Sequence, residues 1–131
     1  MMGTFVASVI SATLFAVFHL SNQGASTATL FFGDFWGIAL TMMFSLTARL
    51  WFSTVFHARW NAAMVILGTV LSGMDEFRRS AVLRTRMQEP AWLAGGLFGP
   101  ENSVPTLALT ALLAGALCAV ASRRGLHSRL G

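Results

Sequence analysis

The feature that most constrains this chain is the length of its uncharged apolar stretches. Residues 1–33 contain no Asp, Glu, Lys or Arg, and residues 104–122 form another stretch without these charges. Charged residues make up 11% of the 131 residues, whereas a soluble domain usually carries about 25%. Because so few charges cannot cover a water-facing surface, the sequence predicts an all-α, polytopic integral membrane protein with a single domain.

The composition excludes several other classes of protein. All nine basic residues are arginine, and the formal net charge is +4. This balance favours arginine anchors at membrane surfaces over a groove for nucleic acid, so we expect the lipid bilayer as a partner and no nucleic acid. Cys118 is the single cysteine of the sequence, which excludes an internal disulfide and a cysteine-based zinc site.

The chain divides into apolar stretches and one charged segment. A membrane-crossing helix needs about 20 mostly apolar residues, and the sequence predicts about four transmembrane helices, over residues 3–20, 30–48, 50–71 and 104–122. Residues 72–103 carry eight of the charged side chains, and we expect them to form an extramembrane or re-entrant loop. Arginines are balanced between the two sides, so the positive-inside rule does not orient the protein.

Ionisable and polar side chains inside apolar helices are costly and are therefore candidates for function. In this chain they are His19, Asp34, His57 and Arg59, with Asn61 as a polar neighbour. Residues four apart share a helix face, which places Phe15 beside His19 and His57 beside Asn61. Two inward imidazoles could bind a metal, position a water or polarise a carbonyl. The alternative is that each histidine only makes a hydrogen bond between helices.

Two further pairs have structural interpretations. Asp34 and Arg59 carry opposite charges on neighbouring predicted helices, and we expect them to form an ion pair. Gly33 and Gly37 form a GxxxG motif, which predicts close packing against another helix.

Three short motifs occur in order along the chain. Phe15 and His19 form FxxxH, His57 and Asn61 form HxxxN, and residues 95–101 read Gly-Gly-Leu-Phe-Gly-Pro-Glu. In this order and spacing they resemble the C-terminal part of the CAAX-protease and bacteriocin-processing (CPBP) family of intramembrane endopeptidases. The resemblance implies hydrolysis of peptide bonds in a membrane-associated peptide or protein substrate, by a multi-pass protein of a bacterial plasma membrane.

The resemblance also implies roles for individual residues. The histidine at the position of His19 helps to place the attacking water, and the counterparts of His57 and Asn61 stabilise the oxyanion. We expect structural support from a second group of residues, namely Phe15, Asp34, Arg59 and Glu101. An older proposal for the family implies zinc, held here by His19 and His57, and the later one implies a glutamate-activated water without a cofactor.

One motif of the family is missing from this sequence. Its water-activating glutamate lies in an upstream EExxxR motif, whereas no carboxylate precedes His19 here. Loss of a general base lowers a rate by about 10²–10⁴-fold. We therefore expect residues 1–131 to form one N-terminally shortened CPBP-like membrane domain. Two interpretations stay open: an endopeptidase that is incomplete as written, and a non-catalytic scaffold or partner-binding pseudoprotease.

The depth of the two histidines sets a condition on the fold. At ~1.5 Å per residue, His19 lies about 24 Å along a helix that starts at residue 3, and His57 lies about 10 Å into one that starts at residue 50. The imidazoles meet only if the first helix runs past Asn22 or if residues 48–51 lie deep. We expect the first helix to continue past His19.

A third interpretation, unrelated to the family, is a haem b protein with His19 and His57 as axial ligands. It requires a Soret band in the absorption spectrum of the purified protein. We expect a colourless preparation, because a haem protein has no role for the Gly-Gly-Leu-Phe-Gly-Pro-Glu segment. A Soret band that disappears in His57→Ala would instead establish the haem interpretation.

Overall fold

A computed structural model of the protein describes residues 2–86 and 90–124, and these residues form helices and loops with no named strand. The α-helices are α1 (Met2–Phe18), α2 (Thr27–Thr47), α3 (Leu50–Leu67), α4 (Ala91–Ala94) and α5 (Val104–Arg123). Short 3₁₀ segments cover His19–Ser21, Asp75–Ser80 and Pro100–Asn102. The all-α fold class predicted from the sequence is confirmed.

The centre of the bundle is α2, which packs against α1 and α5 and makes fewer contacts with α3. At its N-terminal end, the side chains of Ser26 and Thr29 are hydrogen-bonded to Asn102, 3.1 Å away in both cases. Asn102 lies two residues before the start of α5, so α2 and α5 start at the same end of the bundle. We call this end, which carries residues 19–26, 68–86 and 90–103, the loop end.

Local sequence signals explain where these helices begin and end. Ser26 and Thr29 form a capping box at the start of α2, and Ser103 accepts a hydrogen bond from the Thr106 N–H at the start of α5. Such side-chain caps satisfy N–H groups that have no partner within the helix. Ala48 closes α2 in the left-handed conformation, with φ of 53°, and α3 begins two residues later.

The close approach of α1 and α2 depends on two glycines. A Cβ added at Gly33 would lie 2.5 Å from the Cα of Ala16, and one added at Gly37 would lie 2.6 Å from the Cα of Ala12. Both alanines are buried. The packing role predicted for the GxxxG motif is confirmed, because only a residue without a side chain allows the two backbones to lie this close.

Two of the described helices, α2 and α5, are long and apolar enough to cross a membrane. The apolar part of α1 is shorter, over Val6–Ser21, and α3 carries the polar side chains of His57, Arg59 and Asn61. The four predicted transmembrane helices are therefore not confirmed as four spans. Within residues 72–103, the described part contains helical segments of at most six residues, and its place relative to a membrane stays a prediction.

We predict that Gly37→Ala destabilises the fold by about 1–3 kcal/mol, because the added methyl group forces two packed backbones apart. Gly115→Ala is the matched control, since a Cβ at Gly115 on α5 would meet nothing within 4 Å. This control should be neutral or stabilising by up to about 1 kcal/mol. Unfolding followed by circular dichroism in detergent measures both, and equal stability of the two variants would refute the close α1–α2 contact.

Candidate functional site

His19 lies where α1 gives way to a 3₁₀ turn. Its Nδ1 is 2.7 Å from the carbonyl oxygen of Phe15, one turn earlier. Because a carbonyl only accepts hydrogen bonds, we infer that Nδ1 carries a proton, and in the tautomer with its proton on Nδ1 the lone pair is on Nε2. The backbone therefore orients this imidazole with its accepting nitrogen available.

The ring of Phe15 brings the two histidines to one place. Its centroid lies 4.7 Å from that of His19 and 5.3 Å from that of His57. His57 also contacts Trp36 edge to face at 6.1 Å. Residues from α1, α2 and α3 thus converge on a single site.

Both histidines contact the ring of Phe15, but the fold achieves this by a route that differs from the one expected. The α-helix does not continue past His19: α1 ends at Phe18, and the 3₁₀ turn ends at Ser21. Instead, α3 starts part of the way along α1 and not level with its N-terminal end. Leu50 lines the same cavity as Ala7 and Ser8, so α3 begins beside the second turn of α1 and His57 reaches the level of Phe15.

Asn61 follows His57 by one turn of α3, so both side chains lie on the same face of the helix. Each is half-buried. Neither side chain makes a hydrogen bond to another residue within the described ranges. A half-buried donor without a protein partner is available to a ligand, so this face of α3 offers two such groups side by side.

A cavity of about 720 Å³ leads to this site between α1, α2 and the start of α3. Its wall is largely apolar, although several of its residues carry hydroxyls. These hydroxyls add little polarity to the wall because they donate to backbone carbonyls: Ser53 Oγ to Leu40 O at 2.9 Å, and Thr41 Oγ1 to Gly37 O at 2.8 Å. His57 is the ionisable side chain of this lining.

A cluster of aromatic side chains around Trp36 packs against His57. Trp36 is 2% exposed and stacks on Phe32, with its ring 5.7 Å from Phe56 and 4.9 Å from Trp60. Its Nε1 is buried without a hydrogen-bond partner among the described residues. No local pattern distinguishes Trp36 and Trp60 from the exposed Trp51 and Trp92, because only tertiary packing separates the two pairs.

Glu101, in the Gly-Pro-Glu segment, links the loop end to α3. Its side chain is 2% exposed. The Trp60 indole N–H donates to Oε1 at 2.9 Å, and the N–H and hydroxyl of Ser72 both donate to Oε2 at 2.6 Å. Ser72 adopts a left-handed φ of 48°, a strained backbone that aligns both donors. Because each oxygen accepts a hydrogen bond from the fold itself, we infer that this carboxylate has a structural role.

The predicted ion pair between Asp34 and Arg59 is not formed. The ion pair found within the described residues joins Arg78 to Asp75 at 3.0 Å. Arg59 is exposed, because it lies two residues from His57 and hence on nearly the opposite side of α3. Neither Asp34 nor Arg59 therefore contacts the site through a salt bridge.

The zinc implied by the older proposal for the family does not fit this site. His19 and His57 would supply two ligands, whereas catalytic zinc sites use three protein ligands. In the part of the chain that the structure describes, no third His, Cys, Asp or Glu joins them in a group that could hold a metal ion. Asn61 is the remaining polar neighbour, and an amide is a poor ligand for zinc.

Comparison with known proteins identifies the segment that builds this site. Residues 2–63 match the family described as type II CAAX prenyl endopeptidase, Rce1-like. This range contains Phe15, His19, His57 and Asn61. No match was found among curated proteins or among solved structures. The resemblance drawn from the sequence motifs is confirmed, and with α2 and α5 it indicates a membrane protein.

We predict that Glu101→Gln destabilises the fold by about 1–3 kcal/mol, since an amide N–H₂ must face one of the three donors and leave it unpaired. Glu76→Gln is the matched control, because Glu76 is exposed and has no ion pair or side-chain hydrogen bond within the described residues. It should change the unfolding free energy by less than about 0.5 kcal/mol. Chemical unfolding in detergent compares the two, and similar losses would contradict a buried, bonded carboxylate.

Proposed function

We propose that this chain, which is Rce1-like over residues 2–63, is an intramembrane endopeptidase of the CAAX-protease (CPBP) type. It hydrolyses peptide bonds of membrane-associated substrates as a multi-pass protein of a bacterial plasma membrane. The observation that carries the proposal is the contact of Phe15 with both His19 and His57, since it joins the FxxxH and HxxxN motifs in one site.

In this proposal His19 positions the attacking water. Its Nδ1 is held by the Phe15 carbonyl, so Nε2 accepts a hydrogen bond from the water and fixes its orientation. A water held in this way is aimed at the carbonyl carbon of the scissile peptide bond with little loss of rotational freedom. Its attack also needs a base to take the proton of the water. In the family this base is the glutamate of the upstream motif, and because no carboxylate precedes His19 here, the endopeptidase is incomplete as written.

His57 and Asn61 act on the oxygen of the same carbonyl. Their N–H groups are the half-buried donors on one face of α3, and they donate to this oxygen as it becomes negatively charged in the tetrahedral intermediate. Such donors stabilise charge more strongly in a site shielded from water. The apolar cavity that ends at His57 provides this shielding and room for an extended segment of substrate.

A second function is a non-catalytic scaffold or partner-binding pseudoprotease. It is favoured by a specific observation: within the described ranges, no carboxylate joins His19 and His57 in a cluster, and both oxygens of Glu101 are engaged by other donors. Under this alternative the helices and the cavity hold a partner segment without cleaving it.

The test of the proposed activity is cleavage of a fluorogenic membrane-anchored peptide in proteoliposomes. We predict that His19→Ala, His57→Ala and Asn61→Ala each lower the rate by about 10²-fold or more. The matched control is His127→Ala, because His127 is a histidine outside the proposed site; it also lies outside the described residues. This variant should keep the wild-type rate. Melting temperatures of the variants show that each is folded.

The cellular role of the protein separates the two functions. If cells that carry the protein with both His19 and His57 replaced by alanine keep that role in full, the scaffold is correct and the endopeptidase is not. If the role and the cleavage activity are lost together in the three site variants, while the His127→Ala protein keeps both, the endopeptidase is supported.

A further inference from the structure

An arginine-rich segment at the loop end plays no part in the site described above. It covers residues 75–86, which we call the arginine loop, and it carries Arg78, Arg79, Arg84 and Arg86 against two carboxylates. Arg78 is occupied, because it pairs with Asp75 and donates from Nε to Gly68 O at 3.2 Å. The other three guanidinium groups make no ion pair or hydrogen bond with any residue that the structure describes.

The backbone of the arginine loop is docked against the C-terminal end of α3. The Leu83 N–H donates to Ile66 O at 2.9 Å, and the Thr85 hydroxyl donates to Leu67 O. The loop also packs directly on Gly68, where an added Cβ would lie 2.1 Å from the carbonyl oxygen of Leu83. The arginines are therefore carried by a segment that is fixed to the bundle at several points.

The three unpaired arginines share one cavity. It has a volume of about 350 Å³ and is lined by Arg79, Arg84 and Arg86 together with the paired residues Arg78 and Asp75. Guanidinium groups bind phosphate oxygens with two parallel hydrogen bonds. A concave surface lined by three arginines without a partner among the described residues thus has the charge and the donors to hold a phosphate group, while the Asp75 carboxylate beside them is paired with Arg78.

Large apolar side chains stand exposed in the arginine loop and beside it. Val82 is 77% exposed and Leu83 52%, and Phe77 is 41% exposed; across the loop end, Leu97 is 70% exposed. Apolar side chains interleaved with arginines are typical of segments that lie in the headgroup region of a membrane, where the apolar groups enter the acyl layer and the cations stay at its surface.

The place of this surface in the fold matches that interpretation. The two helices that are apolar enough to cross a membrane, α2 and α5, both start at the loop end. A bilayer crossed by them ends beside the arginine loop. We propose that the arginine loop binds the headgroups of anionic phospholipids, with the phosphate held by Arg79, Arg84 and Arg86 and with Phe77, Val82 and Leu83 in the adjacent acyl region.

Native mass spectrometry of the full chain in detergent, titrated with phosphatidylglycerol or phosphatidylcholine of the same acyl chains, tests this proposal. We expect tighter retention of phosphatidylglycerol, and at least a tenfold loss of that affinity in R79Q/R84Q/R86Q, because each arginine near an anionic surface contributes on the order of a fivefold change. The matched control is R49Q/R123Q/R124Q, which removes the same charge at the opposite end of the bundle and should keep the wild-type affinity.

Several outcomes would overturn the proposal. They are equal affinity for the two lipids, an unchanged affinity in R79Q/R84Q/R86Q, and an equal loss in the control variant. Binding of glycerol phosphate as tight as that of the lipid would show a site for free phosphate instead. If the triple variant does not fold, Arg84→Gln alone should lower the affinity about fivefold, and high salt should weaken phosphatidylglycerol binding to the wild type.

Discussion

The close contact between α1 and α2 is the constraint on which the rest of the site depends. Gly33 and Gly37 let α2 lie against the backbone of Ala16 and Ala12, and this contact sets the height of the last turn of α1. Phe15 is part of that turn, so its ring is placed against His57 on α3. A larger distance between α1 and α2 would move Phe15 and His19 away from His57 on α3.

A second constraint acts from the loop end. Glu101 is buried without an ion pair in the described part of the chain, and its charge is compensated by donors from two other segments, Trp60 on α3 and Ser72 in the loop. Burying a carboxylate is costly unless several donors satisfy it. These hydrogen bonds fix the loop to α3 at Trp60, next to Asn61. The loop end thus stabilises the position of α3.

The loop end serves two purposes that are separate in space. On its inner side, Glu101 is hydrogen-bonded to Ser72 and to Trp60 of α3, which holds α3 in place. On its outer side, the arginine loop presents free guanidinium groups and exposed apolar side chains. The arginine loop is held at the C-terminal end of α3 by the Leu83 N–H and by the side chains of Arg78 and Thr85. Its other arginines and its apolar side chains are therefore available on the outer side.

The sequence by itself determined the all-α class, the positions of the long helices, the packing glycines and the residues of the FxxxH and HxxxN motifs, because helix periodicity and hydropathy are local properties. Tertiary structure alone decided that α3 starts deep beside Ala7 and Ser8, so that a helix ending at Phe18 still brings His19 near His57. It also kept Asp34 and Arg59 from pairing with each other and gave Glu101 its donors. Each of these depends on helix offset and rotation, which are set by packing between segments that are distant in sequence.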